Sequence, residues 1–183
     1  YVVNDALTVN AGVNNGWVVD TENNVTGEHG DKTFELGASY AVMSNLSLAL
    51  TTYTGKDVTA ANTASLYSFV ATYSPIEALS LALNADMVNT GKTDSDADKS
   101  TNLALYATYN LSKDIKAGLR VETITPKVEA LAAVNQHKKT GLSAVVSYAA
   151  AKNFDVRAEL GQLKDNTADT DSALAVVQGV LKF

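Results

Sequence analysis

The chain has no cysteine, so it can form neither a disulfide framework nor a thiolate metal site. It has only two prolines in 183 residues, Pro75 and Pro126, and both fall where turns or loops are expected. Long stretches are therefore free for uninterrupted strands. Basic residues are outnumbered, 14 Lys and Arg against 20 Asp and Glu. The net charge of -6 and pI of about 4.8 exclude the basic footprint of a nucleic-acid partner. No apolar run approaches the ~18–20 residues of a membrane helix. Yet 46% of residues are apolar while the mean hydropathy is -0.02, so the apolar residues are dispersed among polar ones.

The dispersal is ordered. An aromatic residue, five mostly polar or small residues and a large apolar residue recur in one phase. The five cases are Tyr1 to Leu7, Tyr40 to Leu46, Tyr73 to Leu79, Tyr109 to Ile115 and Tyr148 to Phe154, and Phe183 falls at the same phase. Each apolar residue opens an alternating run, which signals a strand with two unlike faces. Leu79, Leu81, Leu83, Ala85 and Met87 oppose Ser80, Ala82, Asn84 and Asp86. Ile115, Ala117, Leu119 and Val121 oppose Lys116, Gly118, Arg120 and Glu122. Phe154, Val156, Ala158 and Leu160 oppose Asp155, Arg157, Glu159 and Gly161. The segments that lead into the tyrosines alternate in mirror image.

Ten complete strands are predicted, at about 6–18, 32–41, 46–56, 65–73, 79–90, 101–109, 115–125, 139–148, 154–164 and 172–183, with bounds good to ~2–4 residues. Short turns join them at one end. Longer polar connections, about 19–31, 57–64, 91–100, 126–138 and 165–171, join them at the other. So much strand with no helix points to a sheet closed on itself. A soluble barrel would hide its apolar rows. Here Arg and Glu sit at mid-strand on the opposite rows, tyrosines stand at strand ends, and ~9–11 tilted residues suffice to cross a bilayer core. The expected fold is all-β, an antiparallel up-and-down transmembrane β-barrel in one domain spanning 1–183. The short turns would mark the periplasmic rim, where the chain also ends. Two widths stay open: ten strands closing a narrow barrel, or, since Tyr1 stands where a strand would end, a wall that lacks upstream strands and widens to 12 or more.

The candidate lumen-lining residues are Asn84, Asp86, Lys116, Arg120, Glu122, Asp155, Arg157 and Glu159. They form either a charged constriction that selects solutes or an ion-pair network filling a narrow lumen. Tyr40, Tyr73, Tyr109, Tyr148 and Phe183 are the candidate interface girdle. Gly12, Gly37, Gly118, Gly141 and Gly161 fall on the polar rows and relieve crowding or allow bending. His29 and His137 lie in loops without the acidic partners an external active site would need, and solvent-exposed histidines are the simpler reading. Asp94, Asp96 and Asp98 alternate as in calcium loops. However, Lys99 and Leu105 stand where the hand requires Gly and Glu. No catalytic group, cofactor or metal is expected.

Two resemblances follow from these residues. The final Leu181-Lys182-Phe183 resembles the C-terminal targeting signal of Gram-negative outer-membrane barrels, although Gly179 is one position off that pattern's glycine. This implies recognition by the assembly machinery. The stretch Leu7-Thr8-Val9-Asn10-Ala11-Gly12-Val13-Asn14-Asn15-Gly16-Trp17 with Glu22-Asn23-Asn24 is similar to an opening motif of the OmpL-like beta-barrel porins. Tyr53-Thr54-Gly55, Tyr73-Ser74-Pro75 and Leu119-Arg120-Val121-Glu122 fit the same family, specifically its C-terminal part. The resemblance implies an outer-membrane channel passing small hydrophilic solutes. The lipid bilayer would be its main partner, and an oligomer is compatible with the sequence. The alternative is a non-conducting structural or adhesion barrel whose acidic external loops bind a partner.

Overall fold

The computed structural model describes residues 1–15, 32–56, 63–89, 99–126, 138–166 and 168–181. The Trp17 and Glu22-Asn23-Asn24 motif residues, His29, His137, Asp94, Asp96, Asp98 and Phe183 lie outside them.

The described residues form ten strands and no helix. They are β1 (Leu7–Asn15), β2 (Lys32–Met43), β3 (Leu46–Lys56), β4 (Thr63–Ile76), β5 (Leu79–Asn89), β6 (Lys99–Asn110), β7 (Ile115–Thr125), β8 (Lys139–Ala151), β9 (Phe154–Asp165) and β10 (Thr170–Leu181). All belong to one sheet in chain order, each antiparallel to the next. This is the up-and-down order predicted. Among the described residues β1 and β10 are not paired with each other, so the sheet keeps two edges.

The tyrosine repeat sets the register. Tyr40 pairs with Leu48, Tyr73 with Leu81, Tyr109 with Ala117 and Tyr148 with Val156. Each partner lies eight residues further on, so all four hairpins share one offset. Tyr1 keeps the same offset. Its amino group donates to the Val9 carbonyl at 2.7 Å, and the Val9 N–H returns a bond to the Tyr1 carbonyl at 2.9 Å.

Pro75 lies inside β4, not in a turn. The register shifts between Tyr73 and Ile76, and a proline at such a bulge has no ladder bond to lose. The connection expected at 165–171 is also shorter, because β9 runs to Asp165 and β10 begins at Thr170. Asp165 Oδ1 accepts from the Ala168 N–H at 2.9 Å, and Asp169 takes a positive φ of 51°. These features tighten that turn.

The two sides of the sheet differ in shelter. Ala64, Ala104, Thr33 and Asp155 are buried, and the pairing places all four on the polar side. The large apolar residues of the other side are open, with Leu119 at 56% and Leu160 at 67% exposure. A flat sheet would expose both sides alike. The sheet therefore curls with its polar side inward, the reverse of a water-soluble barrel. Strand β10 departs from this pattern. Its inward positions include Leu174 and Val176 beside Gln178, so its inward row is more apolar than those of the other strands.

Candidate functional site

The sheltered polar side is the candidate site, and alternation places its side chains: every second residue of each strand points into it. Along β5 that row brings Asn84 and Asp86 together, with Ser68 of β4 and Asn102 of β6 directly opposite Asp86. Ser68 Oγ donates to Asp86 Oδ1 at 2.6 Å, and Asn84 Nδ2 donates to the same oxygen at 2.9 Å. Asn84 also reaches Ser68 Oγ at 3.4 Å, and Asn102 Nδ2 reaches Asp86 Oδ2 at 3.5 Å. The Asp86 carboxylate is thus held by neutral donors from three strands.

A second group stands on β7. Arg120 and Glu122, two residues apart on one side of the strand, form an ion pair through Arg120 Nη2 and Glu122 Oε2. The Arg120 guanidinium also lies over the Tyr106 ring, 5.6 Å from its centroid, and Tyr106 is the paired residue on β6. A cation over an aromatic face gains ~0.5–1 kcal/mol where water remains near. Its main effect here is to fix the direction of a long side chain. The Glu122 side chain is 16% exposed against 41% for Arg120, so the cation is the more accessible partner.

The third group is Asp155, Arg157 and Glu159 of β9. Asp155 is buried at 8% exposure near the short-turn end. Arg157 faces Ser147 of β8 and Gln178 of β10, and Glu159 faces Val145 and Val176. Strand β8 separates this group from Arg120 and Glu122, and among the described residues no ion pair joins the two. Lys116 stands apart, lining a recess of about 330 Å³ at the short-turn end with Glu77, Asn110, Ser112 and Lys113. The eight predicted residues therefore form two tight clusters, one looser row and one outlier.

Sequence reasoning missed Ser68, Asn102 and Tyr106 as partners. It also missed Asn10 and Glu35, where Asn10 Nδ2 donates to Glu35 Oε1 at 3.0 Å across β1 and β2. Gly37 makes that contact possible, because a Cβ there would come within 2.4 Å of Asn10 Oδ1. All five missed residues lie on the polar rows. The pairing across the tyrosine turns was an available signal for Ser68 and Tyr106, whereas Asn102, Asn10 and Glu35 meet their partners on strands joined by the long connections.

On the opposite side, Tyr40, Tyr73, Tyr109 and Tyr148 are 42–50% exposed and occupy the short-turn end. Above them the outward residues stay apolar up to the eighth position back. There Lys32, Ser65, Thr101 and Thr140 stand in the four strands that lead into these tyrosines. The described residues contain no group of three or more His, Cys, Asp or Glu able to hold a metal ion.

The family model described as "Putative beta-barrel porin-2, OmpL-like" matches residues 1–182, nearly the whole chain. Comparison with curated proteins returns no match.

Proposed function

The chain belongs to the OmpL-like beta-barrel porin family, and from that premise we propose that it forms a passive outer-membrane channel for small hydrophilic solutes. The observation that carries the reading is the inverted sheet. Its outward side presents Leu36, Leu50, Leu103, Leu105, Leu119 and Leu142, each roughly half exposed. With Phe34, Leu160 and Val177 they make a broad apolar surface of the kind that marks a membrane-facing side. Lipid tails are the solvent that such a surface fits, with the tyrosines at the headgroup level. The polar side then lines water, and Asn84, Asp86, Lys116, Arg120, Glu122, Asp155, Arg157 and Glu159 sort the passing solutes by charge. Nothing in this arrangement calls for bond chemistry, and we read the protein as a channel, not an enzyme.

Purified protein in a planar bilayer should give ohmic single channels. Replacing Arg120 or Arg157 by Ala removes a positive charge from the wall and should move the reversal potential in a salt gradient toward cation preference. Conducting variants with unmoved reversal potentials would take both arginines out of the permeation path. Consistent silence of the wild-type protein would favour the non-conducting barrel that binds partners through its acidic loops.

A further inference from the structure

Building on the channel reading, we propose that Asp86, with Ser68, Asn84 and Asn102, is a way-station for permeant alkali cations, separate from the Arg120–Glu122 pair. Asp86 sits on the polar row of β5 with Ser68 and Asn102 in register on either side. The polar rows of β4, β5 and β6 contain no Lys or Arg. No ion pair among the described residues includes Asp86, whereas Glu122 on β7 is neutralised by Arg120. A carboxylate that serves only to hold the wall together would gain most from such a cation beside it. Asp86 is instead positioned by hydroxyl and amide donors alone.

The donor set suits a hard cation. It offers the Asp86 carboxylate, the Ser68 hydroxyl and, once its side chain turns, the Asn102 amide oxygen. Asn102 supplies an independent sign: its Oδ1 is buried without a hydrogen-bond partner among the described residues, while its Nδ2 makes only a 3.5 Å contact with Asp86. Turning that amide would set Oδ1 beside Asp86 Oδ2, an arrangement that a cation between them stabilises. A single carboxylate is a poor site for a calcium ion, which takes six to eight oxygens. One charge gives weak binding and rapid release, as conduction requires.

The test uses the full chain refolded in detergent micelles. The sodium NMR line width is titrated with NaCl for wild type, Asp86→Asn and Asn102→Asp. The same three proteins are measured in planar bilayers under a KCl gradient. Asp86→Asn should remove about half or more of the excess line width and lower the cation preference by about twofold, and Asn102→Asp should raise both. Folded variants with unchanged line widths would overturn the site. If Asp86→Asn does not fold, Asn102→Asp decides, and no increase in its line width overturns the proposal. A protein silent in bilayers but with an Asp86-dependent line width would end the channel reading and leave the cation site standing. A conducting protein with unmoved reversal potentials and line widths would do the reverse.

Discussion

A side chain added at Gly141 has no room. Its Cβ would lie 2.9 Å from both Cγ and Oε1 of Glu122, the residue paired with it on β7. The glycine is thus the space into which Glu122 folds to reach Arg120. Gly141→Val should displace the carboxylate from the ion pair and destabilise the protein by about 1–3 kcal/mol, the usual cost of overpacking. Urea unfolding from micelles or vesicles measures it, and a midpoint equal to that of wild type would refute the packing argument. The sequence alone placed Gly141 on the polar row but could not say which neighbour used the gap. That answer depends on the β7–β8 register. The same limit hid Asn102 beside Asp86. Alternation tells which side a residue faces, and only the pairing tells what it meets there.

At the scale of the hairpin, the third residue after each tyrosine decides the turn. Where it is apolar, at Met43, Ile76 and Ala151, pairing continues to the turn as Met43–Leu46, Ile76–Leu79 and Ala151–Phe154, each after a register shift. Where it is polar, its side chain takes over the backbone bonds. Asn4 Oδ1 accepts from the N–H groups of Ala6 and Leu7 at 2.9 and 2.8 Å. Ser112 Oγ accepts from those of Asp114 and Ile115 at 3.2 and 3.1 Å. These are side-chain-capped turns, in which a short polar side chain substitutes for the ladder. Ser112→Ala should therefore cost about 0.5–1.5 kcal/mol by leaving two donors to water, and Ser112→Asn should restore most of it. Equal unfolding midpoints for all three proteins would show that the hydroxyl does not hold the turn. The same hairpins explain which bounds were readable. β3 and β7 run as predicted because alternation starts cleanly at Leu46 and Ile115. β4 and β8 extend past the predicted ends to Ile76 and Ala151, because a bulge breaks the alternation there without ending the pairing. Pro75 read as a turn signal for the same reason.

For the molecule as a whole, strand order was legible because each short turn forces its two strands to be neighbours. Circumference was not. Nearest-neighbour pairing fixes the faces of a wall but not how many strands complete it, and among the described residues β1 and β10 are not paired with each other. The height of the wall is better determined. Four strands carry apolar outward residues from Tyr40, Tyr73, Tyr109 and Tyr148 back to Phe34, Tyr67, Leu103 and Leu142, with Lys32, Ser65, Thr101 and Thr140 next. Eight steps of ~3.4 Å, at a tilt of ~40°, span about 21 Å along the bilayer normal. On β9 the apolar outward row likewise gives way above Leu160, where Gln162 Nε2 donates to Asp171 at 3.1 Å and Lys164 pairs with Asp169 at 3.1 Å. Such a band is slightly lower than the ~25 Å common in outer-membrane barrels and suits a thin bilayer. Folding from urea should therefore be faster and more complete into vesicles of ten- or twelve-carbon lipids than into those of eighteen-carbon lipids. Replacing Thr101 and Thr140 together by Leu raises the band by about one residue pair and should shift the optimum toward thicker lipids. Gel mobility before and after heating reads the folded fraction, and a yield indifferent to chain length in both proteins would mean that the tyrosine and threonine rows do not mark the edges of the lipid-facing band.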